Sequence, residues 1–190
     1  YVQAGVYEEF ARRLAEAVAK LKIGPGNAGT VHIGPLIDDA AVEKVESHVS
    51  DALAKGAKAV LGGKRHALGG SFFEPTVLTG VTPAMRVARE ETFGPVAPLF
   101  RFESEDEVLR MANDTEYGLA AYFFTRDVGR VFRVGEALEF GIVSANTGVF
   151  SSAVFPFGGI KQSGFGREGA RAGIEEYLEM KSLCIGGIDR

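Results

Sequence analysis

The sequence predicts an α/β fold, a mainly parallel sheet with flanking helices, followed by a separate C-terminal strand. Three observations lead there. Between residues 96 and 145 short apolar runs alternate with helical segments, which requires crossover connections and parallel neighbours. The first 55 residues carry two amphipathic patterns with apolar positions three to four apart. Glycine supplies 25 of 190 residues, about twice its ordinary share, as expected of a chain with many tight turns.

Residues 5 to 21 read as the first helix, with Val6, Phe10, Leu14 and Val18 four apart and Tyr7 and Ala11 beside them. Gly24-Pro25-Gly26-Asn27-Ala28-Gly29 stops it, because proline lacks the donor a helix needs. The second helix spans about 38 to 55, opened by Asp38 and Asp39 at the positive end of its dipole and closed by Gly56. Lys58 to Leu61 and Phe73 to Leu78 are strands, the latter marked by Pro75 as an edge or lead-in segment. The alternating region then reads strand 96–102, helix 104–113, strand 119–125, helix 127–138 and strand 140–145. Ser104-Glu105-Asp106-Glu107 is a capping box, and Val131, Phe132, Gly135 and Leu138 form the buried face of the later helix. A glycine-dense loop at 156–169, a helix at 168–177 and an extended run from Ser182 to Ile188 complete the chain. That last run lacks a partner within the alternating unit, so it is read as a contact between subunits.

Composition removes several classes. Lys plus Arg is 21 and Asp plus Glu is 25, a net charge of −4, which is a poor match to the cationic footprint of a nucleic-acid binder. Apolar runs fall short of the roughly 18 residues a membrane span requires. The single cysteine, Cys184, closes no intrachain disulfide, and a reducing compartment, the cytoplasm, is the expected setting.

Two matches to G-x-G-x-x-G, at Gly24, Gly26, Gly29 and at Gly164, Gly166, Gly169, lack the strand-before, helix-after context of a phosphate cradle and read as turns. His32, His48 and His66 have no partners at ligand spacing, so no metal is expected and all three are assigned to the surface. Cys184 has no neighbouring histidine and reads as inert. Two stretches hold more chemistry. Glu91 and Phe93, two apart, would share one side of an extended strand; a carboxylate there accepts both hydroxyls of a ribose while a phenyl face flanks a flat heteroaromatic ring. A solvated turn with one core phenylalanine is the competing reading. Phe155-Pro156-Phe157-Gly158-Gly159 either lines a pocket or folds a corner.

Taken in order, Glu91-Thr92-Phe93-Gly94-Pro95, Asn146-Thr147-Gly148 and Pro156-Phe157-Gly158-Gly159-Ile160-Lys161-Gln162-Ser163-Gly164 resemble the aldehyde dehydrogenase superfamily, nearest its succinate-semialdehyde branch. The resemblance extends over the whole chain to Gly173-Ile174-Glu175-Glu176-Tyr177-Leu178-Glu179-Met180-Lys181. It implies that residues 1–176 are a catalytic-domain portion and residues 177–190 an oligomerisation strand, giving a homodimer or homotetramer. It further implies NAD or NADP as cofactor, Glu91 on the nicotinamide ribose, Phe93 against the nicotinamide ring, Phe157 in the aldehyde pocket and Ser151 on the substrate carboxylate. A solvated loop serine is the alternative for Ser151, and Ser152 takes the role if the register shifts by one. The family's nucleophilic cysteine and general-base glutamate have no counterpart here, so no catalytic residue is expected in this chain and the chain alone is expected to be inactive. A truncated, non-catalytic assembly module for full-length subunits is the rival reading.

Overall fold

In the computed structural model, which describes residues 1–149 and 151–189, the chain divides into two compact units, Tyr1–Val108 and Leu109–Arg190. The first holds β1 (Val2–Gln3), α1 (Tyr7–Val18), α2 (Asp39–Ala54), β2 (Lys58–Leu61), β3 (Thr76–Thr79), β4 (Val96–Pro98) and β5 (Arg101–Phe102). The division falls inside α3 (Glu105–Asn113). The second unit holds β6 (Tyr117–Gly118), β7 (Ala120–Phe123), α4 (Val128–Ala137), β8 (Ile142–Ala145) and β9 (Ile160–Lys161). Three strand pairs are parallel, β1 with β5, β3 with β4 and β7 with β8, while β2 with β3 and β6 with β9 are antiparallel. No helix among the described residues is long and apolar enough to cross a membrane.

In the first unit, alternation along the central strand β3 serves two helices at once. Val77 packs with Tyr7, Ala11 and Leu99, and Leu14, Val18, Leu61 and Ala97 surround that cluster. Val96, paired with the next position Thr76, joins instead the cluster of Val42, Val45, Val49 and Phe73. Successive strand residues face opposite ways, so α1 and α2 cover the two faces of the β2-β3-β4 sheet. The buried stripe of α1 is Tyr7 and Ala11, leaving Val6 and Phe10 exposed, one position round from the stripe expected at Val6 and Phe10. Helix α2 starts where Asp38 accepts the amide of Ala41 at 2.8 Å, and ends at Gly56, whose φ of 98° suits glycine.

Several sequence expectations change in the structure. The run 96–102 is two strands rather than one, because β4 pairs with β3 while β5 pairs with β1. Pro75 is a lead-in to a central strand, not an edge, since β3 has a neighbour on each side. On α4 the buried residue is Val134 and Phe132 is exposed. The helix expected at 168–177 is a short 3-10 segment, Ala172–Tyr177. The run 182–188 forms no strand within the chain, and Leu183 and Ile185 stand exposed. The capping box at α3 is present in modified form. Ser104 Oγ accepts the Glu107 amide at 3.2 Å, and the Glu107 carboxylate reaches back to the amide of Glu103 at 2.7 Å.

Candidate functional site

The segment 84–95 is tied to one face of α2. The backbone amide of Arg86 donates to Asp51 at 2.8 Å, and Lys55 donates to the Ala84 carbonyl at 2.7 Å. The Arg86 guanidinium grips Glu90 through Nε at 2.9 Å and Nη2 at 2.8 Å. His48, fully buried on α2, reaches Glu90 Oε2 at 3.1 Å through Nε2 and Thr92 Oγ1 at 3.0 Å through Nδ1. Arg86 first, and His48 second, lower the carboxyl of Glu90 to about 2, so it is ionised across the neutral range. Asp51 is lowered likewise, by Lys55 and then by the Arg86 amide.

On this anchored base sit Glu91 and Phe93, both exposed. The geometry differs from the extended strand expected of them. Residues 91–93 pair with nothing as a strand, and Phe93 has φ 49°, the left-handed region. Thr92, whose hydroxyl meets His48, is partly buried between its two exposed neighbours. Gly94 follows against Val45, where an added Cβ would overlap a valine methyl. An exposed carboxylate, which only accepts hydrogen bonds, two residues from a phenyl ring 79% exposed is an acceptor and an aromatic face that fit a ribose diol and a flat heterocycle.

The second pair of candidates lies in the other unit. Asn146, at φ 60°, ends β8 by donating to the Thr125 carbonyl and accepting the Thr125 amide, each at 2.8 Å. Ser151 and Ser152 are exposed on the loop that follows, while Phe150 between Val149 and Ser151 lies outside the described residues. Phe157 is 46% exposed and pairs with Glu168 by two backbone bonds of 2.8 and 2.7 Å. It borders a cavity of about 690 Å³ together with Phe165, Arg167, Glu176 and Tyr177. Gly164, Gly166 and Gly169 all have positive φ, and a Cβ on Gly166 would meet the Glu176 carboxylate, so this second glycine pattern is a folded turn.

Sequence reasoning missed three anchoring residues. His48 is buried rather than on the surface; its position three beyond Val45 on the apolar stripe of α2 was the available signal. His32 is exposed and His66 half-buried. Lys161, within the glycine-rich loop, binds the Asn113 carbonyl at 3.1 Å, the Thr115 carbonyl at 3.2 Å and Glu139 at 2.7 Å. Ser163 accepts the Gly118 amide at 3.0 Å. Both side chains are thus engaged in holding the loop. Cys184 is exposed, and no metal-binding group of acidic, histidine and cysteine side chains forms among the described residues.

An anchored turn that offers a carboxylate and a ring, carried on an α/β scaffold, presents groups of the kind that line small-molecule sites. The chain belongs to the aldehyde dehydrogenase family, whose model matches residues 1–183. It is 63% identical over its whole length to the 3-sulfolactaldehyde dehydrogenase of Pseudomonas putida, covering 39% of that protein. It is 62% identical over 98% of its length to the NADP(+) succinate-semialdehyde dehydrogenase GabD of Escherichia coli (strain K12), again covering 39%. Among solved structures, a succinate-semialdehyde dehydrogenase from Burkholderia pseudomallei matches with TM-score 0.94 and 64% identity, over 97% of this chain and 38% of that one. A betaine aldehyde dehydrogenase from Staphylococcus aureus in complex with NAD+ matches with TM-score 0.88 and 41% identity, over 94% of this chain and 36% of that one. The chain therefore spans about two fifths of the length of the curated relatives it matches.

Proposed function

We propose that this chain forms the ribose-clamping and pocket-lining part of an NAD(P)-dependent aldehyde dehydrogenase that oxidises succinate semialdehyde, or a close semialdehyde, to the acid. The observation that carries the reading is the exposed Glu91 carboxylate beside the exposed Phe93 ring on one anchored turn. In this reading the nicotinamide supplies the hydride acceptor. Glu91 accepts the two ribose hydroxyls, Phe93 flanks the ring, Phe157 forms one wall of the aldehyde pocket and the Ser151 hydroxyl donates to the far end of the substrate. Relatives named for 3-sulfolactaldehyde, succinate semialdehyde and glutarate semialdehyde share an aldehyde at one end and an anionic group at the other, which supports a polar partner at position 151.

The family chemistry needs a thiolate held against the aldehyde. The one cysteine here, Cys184, is exposed on a run without secondary structure, which supports a reading in which the nucleophile is not part of this chain. Residues 177–190 act as a strand between subunits, supported by exposed Leu183 and Ile185 on a backbone run with no strand pairing. A single cysteine favours the cytoplasm, with the mitochondrion as the alternative because some relatives are mitochondrial.

Titration of the chain with NAD and NADP, alongside Glu91→Gln, tests the clamp; equal affinity for parent and variant would refute it. Incubation with succinate semialdehyde and cofactor tests the rest. No steady formation of reduced cofactor is expected from the chain alone, and sustained turnover would overturn the assignment of the thiol elsewhere.

A further inference from the structure

Resting on the reading that Glu91 and Phe93 seat the nicotinamide riboside, we propose that His48 is the positioning residue of that seat, acting through Thr92. The ring is fully buried and both of its nitrogens are engaged, Nδ1 at 3.0 Å from Thr92 Oγ1 and Nε2 at 3.1 Å from Glu90 Oε2. Glu90 is ionised by the grip of Arg86, and an ionised carboxylate only accepts, so Nε2 carries a proton. Nδ1 is left to pair with the Thr92 hydroxyl, a group able to donate or to accept. One imidazole thereby holds the residues on either side of Glu91.

The consequence passes to Phe93. Its φ of 49° is one that a residue with a side chain keeps only where its surroundings determine it. The determinants lie on consecutive turns of α2: Val45 beneath Gly94, and His48 between Glu90 and Thr92. Fixing Thr92 at its hydroxyl and Gly94 at its backbone leaves Phe93 spanning two held points with its ring directed outward, 79% exposed. His48 touches neither cofactor nor substrate in this scheme. Its effect is to set the relative placement of carboxylate and ring.

The experiment uses the isotope-labelled chain and reads the amide-to-α-proton coupling of Phe93, which reports φ, together with shift changes on titration with NAD to millimolar concentration. Thr92→Val keeps the side-chain shape and removes the hydroxyl, Thr92→Ser restores the hydroxyl, and His48→Leu removes the ring. Amides of β1 and β5, in the same unit but away from the turn, serve as the folding control. Thr92→Val is expected to move Phe93 out of the left-handed region and to weaken NAD about tenfold, with Thr92→Ser recovering both; adding His48→Leu to Thr92→Val causes little further loss. An unchanged Phe93 coupling in both Thr92→Val and His48→Leu overturns the positioning role. A moved Phe93 with unaltered NAD binding, or no NAD binding by the parent, overturns the cofactor seat instead.

Discussion

The Tyr7 hydroxyl donates to the Leu99 carbonyl at 2.9 Å, joining residues 92 positions apart, and accepts the Gly80 amide at the same distance. One phenol on α1 thus satisfies two backbone groups, one after β3 and one after β4. Tyr7→Phe keeps the packing and strands both, at a cost of about 1–3 kcal/mol. Thermal unfolding is expected to fall by about 2–4 °C for each kcal/mol lost in a chain of this size. An unchanged midpoint would show that water replaces the phenol without penalty.

Gly62 turns the chain from β2 toward β3 at φ 69°, with the Pro75 carbonyl and the Thr76 hydroxyl against the place a Cβ would occupy. Gly62→Ala therefore meets both backbone strain, about 1–3 kcal/mol, and a clash with carbonyl oxygen. Gly26→Ala is the control, because open space surrounds Gly26 and its change is expected to stay within about 0.5 kcal/mol. Urea denaturation of the two variants measures the difference; equal midpoints would contradict the close approach.

Glu90 makes stability depend on acid. Its folded value, about 2, lies below the ordinary 4.5, so the folded state holds the ionised form more tightly than the unfolded chain does. That contribution is complete above about pH 4.5 and is lost as pH falls toward 2. Glu90→Gln is expected to show a flatter decline in stability over that window than the parent, followed by circular dichroism. Parallel curves would place the acid sensitivity in other carboxylates.

Position 151 should discriminate among substrates. In a dehydrogenase carrying this chain, Ser151→Ala is expected to raise KM for succinate semialdehyde about tenfold, roughly 1.4 kcal/mol, with kcat nearly unchanged. Butanal, which lacks the far carboxylate, should be unaffected. If Ser152→Ala produces the effect and Ser151→Ala does not, the loop register is shifted by one.

Legibility in the sequence followed the range of the forces involved. Lys58–Leu61 and Asp39–Ala54 were readable because a terminating glycine, a capping aspartate and an apolar period are local signals. The break of 96–102 into β4 and β5 was not, since it depends on β1 and β3, which are distant in sequence. At the candidate site the residue types at 91 and 93 were readable but their geometry was not. The left-handed Phe93 follows from a helix more than forty residues earlier, through His48 and Val45. The apolar stripe of α2 signals that His48 is buried, but nothing local names Thr92 and Glu90 as its partners.

Lys161 spends its ammonium on two carbonyls and one carboxylate, which matches the three protons it has to give. Such an amine is shielded from acylating reagents for as long as the loop stays closed, whereas Lys20 and Lys22 stand in the open. The rate at which Lys161 is labelled, set against those two, becomes a clock for the opening of the glycine-rich loop.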